Sequence, residues 1–534
     1  MVLQDDALRV QEADQTVADL VRRRARDDPQ RVLVTFDEGA LTYGELDERA
    51  DRICWLLRAN GIGPGDRVGA MLENGPHAIV MWVALARLGA TEVPLNPAFR
   101  GESLAYPLTK TGCRVLVTSA AHVDEVVAVR DSVDTLTHVF VAEVVAGVPL
   151  PAGFTDLDAA LSDLSRAEYP SETTSGDVSI VLFSSGTTGP PKGVELSHSA
   201  NLALASGVVA AMHYTADDVL YNAFPFSHVN ARFTTVYAAM LAGARVVLHR
   251  RFSASRFWSI CAEQGVTAFN YMGVIPVLLL EQAPSDADRE HQVAKGYGSG
   301  APGEIADTFE SRFGVALVET YGSTELGMAS HTRLGERRPG SCGVATAHYE
   351  IQIQDGEGRQ VGEGSAGEIV VRPRRPGAMF RGYFDDPAAT VSAWRELWFH
   401  TGDRGYLDKD GWLYFVDRMK DVIRRRGENI SSWEVERALE SHPSVAEACA
   451  VGVASEISGE ELLVVLVMRE PEAPESLLRH TERHLPYFAV PRYVRFVNQL
   501  PRTASARVEK YKLRAAGITA DTWDRDLHGF ELRR

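Results

Sequence analysis

Basic charge is in short supply. Lys and Arg number 55 against 72 Asp and Glu, leaving a formal net charge of −17 over 534 residues. A broad nucleic-acid footprint needs a basic face, so nucleic acid is not an expected partner; a local basic pocket for a small anion stays open. Cysteine is scarce too. Cys54, Cys113, Cys261, Cys342 and Cys449 are odd in number, scattered and form no Cys-x-x-Cys, which argues against a disulfide framework and against a zinc site. Long apolar runs are missing. The longest uncharged apolar stretch, about 266–280, contains Asn270 and Pro276 and is too short to cross a bilayer. The start, Met1-Val-Leu-Gln-Asp-Asp6, has no basic run leading into an apolar segment, so no secretory leader is expected and the cytoplasm is the expected location.

What is present is globular: 45% hydrophobic and 24% charged residues, in a chain long enough for more than one core. Strand-like runs at Arg67–Leu72, Thr91–Leu95, Val115–Thr118, Ile180–Phe183, Arg245–Leu248 and Val315–Glu319 alternate with helical lengths. Thr42-Tyr-Gly-Glu45 reads as a capping box, followed by Leu46, Ala50, Ile53 and Leu57 at helical spacing. The alternation predicts an α/β fold with largely parallel sheets. After about residue 345 the pattern changes to short strands with Gly- and Asp-rich turns, predicting a small antiparallel β unit. A basic stretch then begins at Arg418, and a second capping box, Ser431-Ser-Trp-Glu434, opens a new helix. A boundary is expected near Arg418–Lys420, dividing the chain into a large domain, 1–418, and a small α+β domain, 419–534.

The most informative segment is Ile180-Val-Leu-Phe-Ser-Ser-Gly-Thr-Thr-Gly-Pro-Pro-Lys-Gly193. An apolar strand runs into a loop bearing hydroxyls (Ser185, Thr187, Thr188), glycines (Gly186, Gly189) and Lys192. Glycine lets backbone N–H groups approach an anion, hydroxyls add donors and lysine adds a point charge, so the composition suits a polyphosphate. It is not a Walker A loop, because the spacing differs and Gly193 follows the lysine.

This string resembles the phosphate-binding loop of the adenylate-forming superfamily, which includes acyl- and aryl-CoA synthetases, adenylation domains of peptide synthetases and firefly luciferase. Further segments are similar in the same order. Pro225-Phe-Ser-His-Val-Asn230 resembles the substrate-pocket segment, Gly298-Ser-Gly-Ala-Pro302 the adenine-side loop, and Tyr321-Gly-Ser-Thr-Glu325 the nucleotide and metal segment. Trp398–Asp403 with Tyr414–Arg418 resembles the ribose and hinge region, and Arg425–Ile430 the loop used in thioester formation. Leu485-Pro-Tyr-Phe-Ala-Val-Pro-Arg492 is most similar to the carnitine/medium-chain acyl-CoA ligase branch.

The resemblance implies an ATP- and Mg²⁺-dependent enzyme that joins a small acid to AMP, releases pyrophosphate and passes the acyl group to CoA. It implies that Ser185, Gly186, Thr187, Thr188, Gly189 and Lys192 hold the β- and γ-phosphates. Thr324 would touch the α-phosphate and Glu325 would bind Mg²⁺, with Gly322 in the same loop. Gly298, Ser299, Gly300, Ala301, Pro302 and Tyr321 would flank adenine, while Asp403 and Arg418 would hold the ribose. Lys420 would be the hinge of a mobile C-terminal domain. His228, Val229, Asn230, Tyr271, Met272, Gly273 and Met328 are substrate-pocket candidates, with acid/base catalysis the second reading for His228 and core packing an equal reading for Met272 and Met328.

One motif departs from the family pattern, with Ala506 in place of its glycine and Arg507 in place of its final lysine. The usual Pro-Lys-Thr-x-x-Gly-Lys reads Pro501-Arg-Thr-Ala-Ser-Ala-Arg507 here, so Arg507 stands where the adenylation lysine is usual. A planar, bidentate guanidinium is not a conservative replacement for an ammonium. Three readings stay open: Arg507 does the lysine's work, Lys510 substitutes, or the activated group is not an ordinary carboxylate. The last includes a diazotase that activates nitrite for reaction with an aryl amine in secondary metabolism. A carrier protein is a further candidate acceptor in place of CoA, and a nucleotide-binding relic without activity is the non-enzymatic alternative.

Overall fold

The computed structural model describes residues 16–162, 164, 167–171, 173–184, 191–301, 303–418, 422–455, 459–501 and 508–532. They form two compact units. One comprises Met1–Pro97, Pro107–Leu182 and Gly193–Asp417, and the other Ala98–Tyr106, Phe183–Lys192 and Arg418–Arg534.

The larger unit contains the expected parallel-rich sheets. In one, Ala316–Tyr321, Lys295–Ser299, Ala268–Met272, Val219–Asn222, Arg245–Leu248 and Val32–Phe36 lie side by side and parallel. In the other, Thr91–Pro94, Arg67–Met71, Val115–Ser119 and His138–Ala142 are parallel neighbours, with Val178–Ser184 beyond Thr91–Pro94. The predicted strands are recovered to within two residues at each end. The small antiparallel unit is a third sheet, in which Tyr349–Gln354, Gly367–Pro373 and Trp398–Leu407 are successive neighbours and Leu413–Arg418 pairs with the last. Thr42 caps its helix as read: its Oγ1 accepts from Glu45 N and its own N–H donates to the Glu45 carboxylate.

Helix Pro76–Leu88 starts on a proline, whose fixed φ suits the first helical position, and stops at Gly89 in the left-handed region. Every residue from Ala78 to Leu88 is buried, so this helix belongs to the core on all sides. Trp82, in its middle, meets the edges of Phe226, Phe233 and Tyr237 at 5.7, 6.0 and 5.6 Å. Phe233 and Tyr237 sit on a six-residue π-helical stretch, Arg232–Tyr237, inside an otherwise α-helical run. Arg232, 2% exposed, lies 4.5 Å over the Phe226 ring, donates to Phe226 O and forms a two-pronged ion pair with Glu92, itself 1% exposed. Glu92 belongs to strand Thr91–Pro94 of one parallel sheet, and the chain carrying Arg232 follows a strand of the other. The pair joins the two.

The smaller unit has a mixed sheet in the order Val445–Ala454, Glu460–Met468, Tyr493–Phe496 and Trp523–Asp524, plus the hairpin Val422–Arg425/Glu428–Ser431. Ser431 caps helix Ser432–Glu440 by accepting from Glu434 N.

Removing one partner of a buried ion pair strands the other charge, at a cost of about 3–5 kcal/mol, whereas replacing both by apolar groups is often close to neutral. Glu92→Ala should therefore destabilise the larger unit by about 3–5 kcal/mol in urea unfolding, and the double variant Glu92→Leu/Arg232→Met by much less. Equal losses in the two would refute this account.

Candidate functional site

Ligands of open parallel sheets sit at the carboxyl ends of the strands. Four adjacent strands of the first sheet deliver four of the singled-out segments to that edge. Val219–Asn222 leads to Pro225–Asn230, Ala268–Met272 to Gly273, Lys295–Ser299 to Gly300 and Ala301, and Ala316–Tyr321 to Gly322–Glu325. The segments lie up to about a hundred residues apart in sequence, and sheet order makes them neighbours.

Glycine is required where these loops pack backbone to backbone. A Cβ on Gly273 would lie 2.2 Å from Gly300 O, and one on Gly322 would lie 1.8 Å from Gly327 O. Gly300 itself has φ +83°, a conformation side chains disfavour. Glu319 fixes this turn. Its buried carboxylate accepts from Gly300 N at 2.8 Å, from Ala301 N at 3.1 Å and from the Tyr271 hydroxyl. Burial, and then the Glu319 charge, push the Tyr271 phenol well above its ordinary range. Tyr271 is fully buried and supports the loop from beneath.

Tyr321, at the end of its strand, donates from its hydroxyl to Asp403 Oδ2 at 2.8 Å. Asp403 is 9% exposed, and its N–H donates to Thr401 Oγ1 within strand Trp398–Leu407. Phe415 lies 6.4 Å from the Tyr321 ring. Arg418 ends strand Leu413–Arg418, the neighbour of Asp403's strand. Thr324 and Glu325 are half-buried. The Glu325 carboxylate accepts from Ser323 Oγ at 2.8 Å on Oε2 and from the Tyr383 hydroxyl at 3.0 Å on Oε1. Among the described residues no cationic side chain pairs with it. Hard oxygen donors on one loop, a carboxylate beside a hydroxyl, fit a small divalent cation.

His228 is exposed, and its Nδ1 accepts from Asn230 N at the start of the short helix Val229–Ala231. Asn230 faces inward, its Oδ1 accepting from Asn222 and Asn270. Val229 and Met272 are half-buried. Met328 is buried, with its sulfur 3.4 Å from the Tyr297 hydroxyl. Lys192 is half-buried at the start of strand Lys192–Ser197. Ser185, Gly186, Thr187, Thr188, Gly189, Pro302, Lys420 and Arg507 lie outside the described residues.

Two features of the smaller unit bear on the readings left open. Lys510, the candidate substitute for Arg507, donates to Ser432 Oγ and pairs with Glu436, both at 2.8 Å. Within the run Arg424–Arg426, Arg425 points inward, pairing with Glu461 at 2.8 Å and donating to Phe488 O and Val490 O. Arg426 is exposed. Sequence reasoning missed Glu319, Ser323 and Tyr383; only Ser323, inside a recognised motif, carried a signal.

Glu319→Ala should free the Gly300 and Ala301 amides and leave the Tyr271 hydroxyl with Val318 O alone. Hydrogen exchange read by mass spectrometry should show faster exchange across 298–301 than in the parent chain. Unchanged protection there would mean the turn is held by backbone packing alone.

Residues 21–384 match the AMP-binding enzyme family, and residues 434–507 match the AMP-binding enzyme C-terminal domain. A crotonobetaine/carnitine–CoA ligase of Salmonella heidelberg is 32% identical over 487 residues, covering 89% of this chain and 93% of the relative. The amide bond synthetase McbA from Marinactinospora thermotolerans shares the fold with a TM-score of 0.82 at 25% identity, covering 93% of this chain and 99% of its own. The o-succinylbenzoate CoA synthetase MenE from Bacillus subtilis gives 0.82 at 25% identity, covering 95% and 99%. The chain therefore belongs to the AMP-binding enzyme family of adenylate-forming ligases.

Proposed function

We propose that this protein activates a carboxylic acid with ATP as an acyl-adenylate and then transfers the acyl group to CoA. The observation that carries the reading is the convergence of Gly298–Ala301, Tyr321–Glu325 and Tyr271–Gly273 on adjacent strand ends, with Asp403 hydrogen-bonded to Tyr321. The substrate carboxylate attacks the α-phosphorus, the bond to the bridging oxygen of pyrophosphate breaks, and an acyl-phosphate anhydride with AMP forms. Lys192 and the preceding loop, Ser185–Gly189, hold the leaving phosphates. The Thr324 hydroxyl donates to the α-phosphate, and Asp403 with Arg418 holds the ribose. Glu325 holds Mg²⁺, which when bound neutralises phosphate charge. Arg507 supplies the cation between carboxylate and α-phosphate, since Lys510 is engaged with Glu436. His228, Val229 and Met272 line the acid's side of the site. Rotation about Lys420 exchanges the two half-reactions and keeps water from the anhydride.

A second reading changes only the acceptor. The amide bond synthetase matches the fold as well as the CoA synthetase does, which favours testing an amine beside CoA. The deciding experiment measures pyrophosphate release across a panel of carboxylic acids and nitrite, each with CoA, an amine or neither, with products identified by mass. A CoA thioester supports the first reading, an amide the second. Turnover only with nitrite would overturn both.

Removing a preorganised charge from a transition state costs about 10²–10³ in rate. Arg507→Ala should lower acid-dependent pyrophosphate release by about that factor, while transfer to CoA from supplied acyl-adenylate changes little. Arg507→Lys should retain most of the first half-reaction. A fully active Arg507→Ala would remove Arg507 from the chemistry.

A further inference from the structure

We propose that Tyr383 is a positioning residue for the metal-binding carboxylate and ties it to the strand that follows the glycine-rich loop. The inference rests on the reading of Glu325 as the Mg²⁺ ligand. It begins with how firmly Tyr383 is held. The two-residue strand Gly382–Tyr383 pairs antiparallel with Lys192–Ser197, in the register Gly382 to Glu195 and Tyr383 to Val194. Arg381 N donates to Glu195 O at 2.8 Å and Phe384 N to Gly193 O at 2.7 Å, so the pairing extends past both ends of the short strand. On its other side, Tyr383 N donates to Thr390 Oγ1 at 2.9 Å. Thr390 lies on helix Pro387–Ala393, which Asp386 caps by accepting from Ala389 N. The ring packs edge-on against Phe380 at 5.2 Å and is 9% exposed.

From this fixed base the phenol reaches 58 residues back along the chain to Glu325 Oε1. Ser323 Oγ occupies one site on the other oxygen. A carboxylate oxygen has two acceptor positions, so each keeps one for a cation after receiving its hydroxyl. The two donors sit on opposite oxygens and so set the rotation of the carboxylate plane. Phe380 N also donates to Glu325 O at 2.8 Å, fixing the same residue by its backbone. Hydroxyls suit this task because they orient an anion without neutralising it, where a lysine or arginine would compete with the metal.

Groups that orient a metal ligand typically account for about 10–100-fold in metal affinity. The test uses the full chain, Mn²⁺ as an EPR-visible probe and α,β-methylene ATP, which binds without reacting. Free Mn²⁺ is measured by EPR for the parent, Tyr383→Phe, Ser323→Ala and Glu325→Gln. AMP affinity without metal is measured by calorimetry. Tyr383→Phe keeps the ring and its contact with Phe380; it should weaken Mn²⁺ binding about tenfold or more while AMP affinity stays within about twofold. Ser323→Ala should act in the same direction. If Glu325→Gln loses Mn²⁺ affinity and Tyr383→Phe does not, the positioning role is overturned and the metal reading survives. Unchanged Mn²⁺ affinity in all three overturns the metal reading together with the inference. Loss of AMP affinity in Tyr383→Phe would show that the hydroxyl acts on the fold at large, which also overturns it.

Discussion

A buried ion pair, Arg232 with Glu92, joins the two parallel sheets of the larger unit and sets the surroundings of its core helix. Arg232 stands between two parallel sheets, paired with Glu92 from one and following a strand of the other, with its guanidinium over Phe226 and near Trp82. A charge so placed is tolerable only if every part of it is matched, and that demand fixes the neighbourhood. Phe226 O is committed to the guanidinium, and Phe226 N to Asn74 Oδ1. Asn74 in turn donates to Phe224 O and His249 O. The segment bearing His228 is thus held by polar contacts on its way out of the core.

The candidate site is assembled on a second kind of constraint, the order of strands. Parallel neighbours expose consecutive loops at one end, and each loop here is tightened by glycine or by a buried acceptor. Glu319 gathers two amides and a phenol. Asp403 takes the Tyr321 hydroxyl from a different sheet. Both loops are held by hydrogen bonds to anionic side chains, Glu319 for Gly300 and Ala301 and Asp403 for Tyr321.

Sequence legibility followed the range of each interaction. Thr42 and Glu45 are three residues apart, and their reciprocal cap was readable because its geometry is local. Strands such as Arg245–Leu248 were readable because both faces are covered, so an apolar run survives intact. The same burial hid which residues face a ligand: Tyr271 resembles a pocket residue by position, yet it stands wholly beneath the loop. Glu92 with Arg232, 140 residues apart, and Tyr383 with Glu325 carry no local pattern, since either partner alone is an ordinary residue of its type. The basic run Arg424–Arg426 is hard to read for a different reason. Three like letters conceal one side chain turned inward to Glu461 and another exposed.

The π-helical stretch beside Trp82 amounts to one residue more than a regular helix would use. Each residue of an α-helix advances the facing direction by about 100°, so restoring regular winding by a single deletion would turn all that follows by that angle. Phe233 and Tyr237 would leave the edges of Trp82, and Thr234 and Thr235 would no longer share the carbonyl of Asn230. A substitution in this segment acts through one side chain, Arg232 above all, whereas a change of length alters every contact together.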